Sequence, residues 1–153
     1  MVKVTITALL LLITTAALAS RDYIILPIGE VYDGDTIKTT INKLPAPLNR
    51  ISIRILGIDT PEMPAKSYAT TGRLGRSRCV REAELAIKAK ARVAELLANN
   101  TEMIVSNYAW GKYGGRIVAS VSVDGVDIAT DLINRGLAVS YDGGTKIKDW
   151  CAI

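Results

Sequence analysis

Residues 51–62, ISIRILGIDTPE, decide the fold that this chain can adopt. Isoleucine alternates with other residues at Ile51, Ile53 and Ile55. A period of two places these side chains on one face of a strand, where they can be buried. Arg54 points away from that row. The stretch therefore predicts a half-buried strand with an arginine on its open face, and acidic residues follow the strand.

A second acidic pair, Asp33 and Asp35, lies upstream in residues 31–36, VYDGDT. Hard cations such as Ca²⁺ bind through carboxylate and carbonyl oxygens. Asp35, Asp59 and the carbonyl of Thr60 supply such a set if the two strand ends meet. The sequence thus indicates a candidate site for a divalent cation, although these oxygen ligands also suit Mg²⁺ or Mn²⁺.

Two arginines and a glutamate complete the candidate site. Arg54 and Arg116 can clamp a phosphodiester, because a guanidinium donates paired hydrogen bonds to phosphate oxygens and stays charged. Glu62, three residues past Asp59, is the spare carboxylate that can orient or deprotonate an attacking water. These groups together indicate metal-assisted hydrolysis of a phosphodiester.

Each part of this site also has a simpler explanation. An Asp-Gly-Asp segment often only forms a turn, and residues 59–62 can cap a helix. Arg54 can be a solvated strand arginine, and residues 111–115, GKYGG, can form a plain loop. Only the combination of the parts, in this order, favours hydrolysis.

The composition limits the chemistry that is possible. The 153 residues carry a formal net charge of +4 and include no histidine. Ser-His and Cys-His catalysis, histidine bases and histidine-ligated zinc are therefore excluded. The mild positive charge suits a polyanionic partner without requiring one.

The first nineteen residues have the pattern of a secretory signal peptide. Lys3 precedes an uncharged, leucine- and alanine-rich stretch that closes with residues 17–19, ALA. We expect cleavage after Ala19, which leaves a single domain, residues 20–153, in the periplasm or outside the cell. An uncleaved anchor is the alternative, because the apolar run is close to the shortest length that spans a bilayer.

The chain has two cysteines, Cys79 and Cys151. In an oxidising compartment, an even number of cysteines favours their pairing in a disulfide. The bridge closes a loop of about seventy residues, worth roughly 4 kcal/mol by chain entropy. It would fix the C-terminal tail to the start of a long helix. Two buried, unpaired thiols are the alternative.

The rest of the chain predicts about five short strands and two helices. Residues 79–99 form the long helix, and residues 129–135 form the short one. The predicted apolar face of the long helix consists of Ala83, Ile87, Ala91, Ala94 and Leu97, widened by Leu85, Val93 and Leu96. Residues 63–78 are a basic loop, either solvated or a flap that contacts nucleic acid. An α+β fold with a five-stranded OB-type barrel fits this order, with the long helix after strand three.

Three segments resemble the staphylococcal nuclease-like, or thermonuclease, family. They are residues 31–36, residues 54–62, and residues 112–119, KYGGRIVA. The resemblance extends from about residue 28 to residue 140. It implies an OB-fold nuclease that needs Ca²⁺ and cleaves DNA and RNA, leaving 3′-phosphate ends. One extra glycine before Arg116, and Gly111 where the family often has an acidic residue, depart from its pattern.

The resemblance also implies a role for each residue of the site, position by position. Its implied calcium ligands are Asp35, Asp59 and Thr60. The implied catalytic residues are Arg54, Glu62 and Arg116, and the implied nucleotide contacts are Lys112 and Tyr113.

We therefore expect an exported, monomeric nuclease that favours single-stranded or unpaired DNA and RNA, because an OB groove accepts extended strands. No stable membrane association is expected after cleavage of the signal peptide. A non-catalytic OB module that binds nucleic acid is the first alternative. A secreted domain that binds calcium only for stability is the second.

Overall fold

The computed structural model describes residues 23–152, and the alternating stretch around Ile53 is one of the central strands of its sheet. The strands in this part of the chain are β1 (Tyr23–Pro27), β2 (Glu30–Val31), β3 (Thr36–Thr40), β4 (Arg50–Ile55), β5 (Ile58–Asp59), β6 (Glu102–Trp110), β7 (Arg116–Val123), β8 (Val126–Asp127) and β9 (Val139–Ser140). The helices are α1 (Tyr68–Thr71), α2 (Val80–Leu97) and α3 (Ile128–Asn134). The predicted signal peptide, residues 1–19, lies outside the described residues.

The main sheet has the strand order β1-β6-β7-β4-β3-β2, and β8 adds to β7. Its two ends, β1 and β2, are consecutive in the chain and are separated only by Ile28 and Gly29. One interrupted strand therefore pairs with β6 through its first half and with β3 through its second half. The order returns to its starting segment, as in a five-stranded OB barrel. The predicted α+β fold is confirmed, with its long helix after the third barrel strand and a short second helix.

Gly29 lies where this interrupted strand crosses closest to β3. A Cβ atom built on Gly29 would lie 1.9 Å from the carbonyl oxygen of Lys38. Beside it, the Thr39 hydroxyl donates a hydrogen bond of 2.5 Å to the carbonyl of Pro27. The crossing therefore requires a residue without a side chain.

The core lies between the inner face of the sheet and helices α2 and α3. Ile51, Ile53 and Ile55 are all buried, as the alternation predicts, and β7 buries every second residue from Ile117 onward. Arg54 and Arg116 project from the other face of the same strands.

The buried face of α2 differs from the predicted one. Ile87 and Ala91 are exposed, whereas the buried residues of the helix are Glu82, Ala83, Ala86, Ala89, Val93 and Leu97. Of the predicted apolar face, Ala83, Val93 and Leu97 are correct, whereas Ile87, Ala91 and Ala94 are wrong. Residues 63–78 are mostly irregular, as predicted, apart from the single helical turn α1.

The C-terminal tail is fixed to the start of α2. Cys79 and Cys151 form the predicted disulfide. Two contacts flank it: Arg78 lies 2.8 Å from Asp149, and Arg81 donates a hydrogen bond of 2.6 Å to the carbonyl of Ala152. Among residues 23–152, no helix is long and apolar enough to cross a membrane.

Gly29→Ala should lower the free energy of unfolding by about 1–3 kcal/mol, because the new methyl group collides with the backbone of β3. Gly114→Ala is the matched control, since a Cβ there meets no atom within 4 Å. Urea unfolding followed by circular dichroism measures both variants. Equal stability of the two would contradict the close crossing.

Candidate active site

The candidate site lies where β3 begins and β4 and β5 end. Thr36 pairs with Arg54 across the two strands, and the Ile55 amide donates a 2.8 Å hydrogen bond to the carbonyl of Asp35. This pairing places Asp35 beside the arginine. The Thr60 hydroxyl then donates a 2.8 Å hydrogen bond to the Asp35 carboxylate. Two segments that are distant in sequence, residues 33–36 and 54–62, are thereby joined.

Close packing around Gly34 holds the acidic turn in place. A Cβ atom on Gly34 would lie 2.8 Å from the Cβ of Ala89 in α2 and 3.1 Å from the side chain of Thr60. The turn that carries Asp33 and Asp35 therefore packs directly on the long helix and on the segment after β5.

Arg54 lies between two buried carboxylates. Its guanidinium forms an ion pair with Asp35, and its Nη2 lies 3.4 Å from Asp59 Oδ1. Asp35 and Asp59 are only 2% and 3% exposed, which is rare for aspartate without a positive partner. Burial raises the pKa of Asp35 above its ordinary value, while Arg54 and the hydroxyls of Thr60 and Thr36 act in the opposite direction.

Arg116 lies on the same face of the sheet, one strand away. It is paired in register with Ser52, which is two residues before Arg54 on β4. Its guanidinium lies 5.7 Å from the centre of the Tyr113 ring. Within residues 23–152, Arg116 forms no ion pair with the site carboxylates.

The predicted nucleotide contacts, Lys112 and Tyr113, lie in the turn between β6 and β7. Both side chains are exposed, Tyr113 by 61%. Hydrogen bonds from the Gly111 amide to the Arg116 carbonyl, and from the Arg116 amide to the Tyr113 carbonyl, close this turn. The turn therefore places both residues at the edge of the arginine face, that is, the open face of the sheet that carries Arg54 and Arg116.

Glu62 is fixed through its backbone on both sides. Its amide donates a hydrogen bond of 3.4 Å to Glu82, and its carbonyl accepts one of 2.5 Å from the Ser77 hydroxyl. Glu82 is buried and also accepts a 2.6 Å hydrogen bond from the Arg78 amide. A buried carboxylate at the start of α2 therefore positions the segment that carries Glu62.

Two cations that the sequence did not assign to the site contact the Glu62 carboxylate. Lys146 Nζ lies 2.9 Å from Glu62 Oε1 and 2.7 Å from Asp59 Oδ1. Arg76 Nε lies 3.5 Å from Glu62 Oε2, and its Nη2 lies 3.6 Å from Asp33. Burial opposes the charge on Lys146, but hydrogen bonds to Asp59 and Glu62 outweigh it and raise the pKa of the lysine.

Some of these additional residues lie in segments that the sequence had marked as candidates, and others do not. Arg76 belongs to the basic loop that was recognised as a possible flap, and Asp33 to the acidic pair. Lys146 gave no signal, because it lies 84 positions from Glu62 and reaches it only through the tertiary fold. Glu82 looked like a surface charge of an amphipathic helix.

The donor chemistry of the cluster fits a hard cation. Asp35, Asp59 and Thr60 offer only oxygen ligands, and they lie together at one buried place. In the wider cluster, four carboxylates face three cationic groups, which leaves one negative charge in excess. The Lys146 ammonium also demonstrates that a positive charge is accommodated beside Asp59. Among residues 23–152, however, no three acidic, histidine or cysteine side chains are grouped closely enough to hold a metal ion by themselves.

The chain has an OB-like α+β fold, and its arginines and carboxylates lie together on one open face of the sheet. These features are typical of a nuclease-like domain. The family model of the staphylococcal nuclease homologue matches residues 52–149, and the chain belongs to this family. The family is generally one of nucleases and is typically calcium-dependent. No curated protein matches the chain. The matched range contains Arg54, Glu62 and Arg116, whereas Asp35 precedes it.

Glu82→Gln should lower the free energy of unfolding by about 1–3 kcal/mol, because an amide cannot accept from both the Glu62 and the Arg78 N–H groups as the carboxylate does. Denaturant unfolding measures this loss. Glu84→Gln, an exposed position on the same helix, is the control and should change stability by less than about 0.5 kcal/mol. A Glu82 variant as stable as the control would show that these contacts are dispensable.

Proposed function

We propose that this chain is an exported, calcium-dependent nuclease that hydrolyses phosphodiester bonds of DNA and RNA. The observation that carries the proposal is the convergence of Arg54, Asp35, Asp59 and Glu62 at one edge of the sheet, with Arg116 on the same face. Membership of a family of nucleases supports it. The substrate class follows from that family and from the positive charges on the open face.

In the proposed reaction, Glu62 orients a water molecule and accepts its proton as the oxygen attacks phosphorus. The bond between phosphorus and the 5′ oxygen breaks, and that oxygen takes up a proton from solvent. The products are a 3′-phosphate and a 5′-hydroxyl. Arg54 and Arg116 donate hydrogen bonds to the phosphate oxygens, which gain charge as the water attacks.

The proposed calcium ligands are Asp35, Asp59 and the carbonyl of Thr60. Bound there, Ca²⁺ would supply positive charge next to the phosphate. Arg54 now forms ion pairs with both carboxylates, and it can turn towards a phosphate only if another cation balances them. This requirement gives a physical reason for metal dependence in this chain.

Lys112 and Tyr113 are the proposed contacts to the nucleotide. Their exposure at the edge of the arginine face supports that role. Single-stranded or unpaired substrates are favoured, because an open groove with exposed aromatic side chains accepts extended strands.

We further propose that the protein acts in the periplasm or outside the cell as a monomer, without stable membrane association. The signal-like pattern of residues 1–19 supports export. The disulfide between Cys79 and Cys151 agrees with an oxidising compartment.

Glu62→Gln should reduce cleavage of single-stranded DNA and RNA about 10²–10⁴-fold, because it removes the proton acceptor. Arg116→Ala should reduce it about 10²–10³-fold through loss of a transition-state donor. Initial rates are measured with Ca²⁺ and with a chelator, which should abolish activity. Arg116 is preferable to Arg54 here, because loss of Arg54 would leave two buried carboxylates without their partner.

The controls for this assay are Glu84→Gln and Arg50→Ala, which change exposed residues outside the cluster and should leave the rate unchanged. Melting curves verify that all variants fold. Wild-type rates in Glu62→Gln would refute the assigned base. Salt-sensitive binding without cleavage at any divalent concentration would instead identify a non-catalytic binding module.

Lys146→Met should tighten Ca²⁺ binding roughly twofold to fivefold, because the ammonium competes with the metal for Asp59 and an ion pair to a partly exposed lysine is worth only about 0.2–1 kcal/mol. Calorimetry without substrate measures the affinity directly. Lys148→Met, two residues along the tail, is the control. Unchanged or weaker binding in the Lys146 variant would contradict competition at this place.

A further inference from the structure

A groove of about 600 Å³ lies beside the candidate site and has no role in the reaction described above. Its walls come from β2 and β3 on one side, from α2 on another, and from the basic loop, residues 63–78, on the third. The basic loop therefore forms one wall of this open groove.

The lining of the groove is strongly positive. Four cationic side chains, Lys38, Lys66, Arg76 and Lys90, face a single acidic one, Glu30. Two of these cations are paired, since Lys38 lies 3.6 Å from Glu30 and Arg76 contacts Glu62 and Asp33. Within residues 23–152, Lys66 and Lys90 form no ion pair, and Lys90 donates to the backbone carbonyl of Tyr32. Their charge is thus not neutralised by a carboxylate, and it suits a partner with negative charges.

The groove also presents aromatic and apolar surface between these charges. Tyr32 is 41% exposed, and the Lys38 ammonium lies 4.3 Å from the centre of its ring. Tyr68, the first residue of α1, also lines the groove, together with Met63 and Ile87. Cationic groups interleaved with aromatic rings are the surface on which single-stranded nucleic acid binds, because phosphates meet the charges and bases stack on the rings.

The groove is continuous with the candidate site. Lys38 and Arg116 are both paired in register with Ser52, so one row crosses three strands from the groove to the second arginine of the site. Arg76 lines the groove and also contacts the Glu62 carboxylate. A chain of phosphates could follow this face without leaving the surface.

We propose that this groove binds the part of a single-stranded nucleic acid that flanks the scissile phosphate. The inference rests on the proposed function only in assuming that the bound strand is cleaved; binding of the strand in the groove does not depend on it. The groove makes the enzyme prefer longer strands: a substrate that extends into it gains phosphate and stacking contacts that a dinucleotide lacks.

The test compares Lys66→Gln/Lys90→Gln with Lys43→Gln/Lys88→Gln, a control pair of exposed lysines that do not line the groove. Binding of a labelled single-stranded oligonucleotide is measured by fluorescence anisotropy in a chelator, so that no cleavage occurs. The groove variant should bind about tenfold more weakly. Its dependence on salt should fall by about 1.4 in the slope of log K against log salt, for two lost phosphate contacts.

Aromatic stacking is tested separately with Tyr68→Leu, which retains apolar surface. This variant should weaken oligonucleotide binding roughly tenfold and leave binding of inorganic polyphosphate unchanged. Lys66→Gln alone, at an exposed position, serves if the double variant fails to fold.

Cleavage gives the second readout. In Ca²⁺, the groove variant should raise KM for the long oligonucleotide and leave cleavage of a dinucleotide unchanged. Equal binding by the groove and control variants, or equal loss for both substrate lengths, would overturn the proposal. If the wild-type protein binds the oligonucleotide through these lysines but cleaves nothing, the proposed function fails and the groove stands.

Discussion

The guanidinium of Arg54 is shared by two carboxylates that are almost completely buried, Asp35 and Asp59. A buried carboxylate is costly unless a positive partner and hydrogen bonds compensate it. The register that pairs Thr36 with Arg54 supplies this partner, and it therefore also fixes where β3 begins and where β5 ends. The fold and the candidate site therefore share this contact, since the register that aligns β3 with β4 also brings the opposite charges together.

Every carboxylate of the site is already paired with a cation of the protein. Arg54 contacts Asp35 and Asp59, whereas Lys146 and Arg76 contact Glu62. Arg116, which has no such pair within residues 23–152, can bind a phosphate directly, whereas Arg54 can do so only by exchange, leaving a carboxylate for a phosphate oxygen. Such exchange at Arg54 is costly unless another cation takes its place beside the two buried carboxylates.

Alternation in sequence predicted the strands well, because a period of two has one interpretation. Ile51, Ile53 and Ile55 are buried, and in β7 the alternating residues from Ile117 onward are buried in the same way. The face of α2 was harder. Alanines occur on several sides of this helix, so small residues do not define one stripe, and the fold buries Glu82 where a charged residue suggests solvent. The local motifs of the site could also be predicted, because residues 54–62 form one continuous segment.

The sequence could not reveal the roles of Glu82 and Lys146, because both depend on contacts between distant parts of the chain. The disulfide links the two segments that carry these residues. Cys151 is fixed to Cys79, the residue that caps α2, and Glu82 lies one turn further along that helix. Glu82 holds the backbone of Glu62, while Lys146, shortly before Cys151, contacts its carboxylate. A tail anchored at one end has fewer conformations to lose when it docks. The bridge therefore does more than stabilise the fold: it keeps Lys146 close to Glu62, the residue proposed as the base.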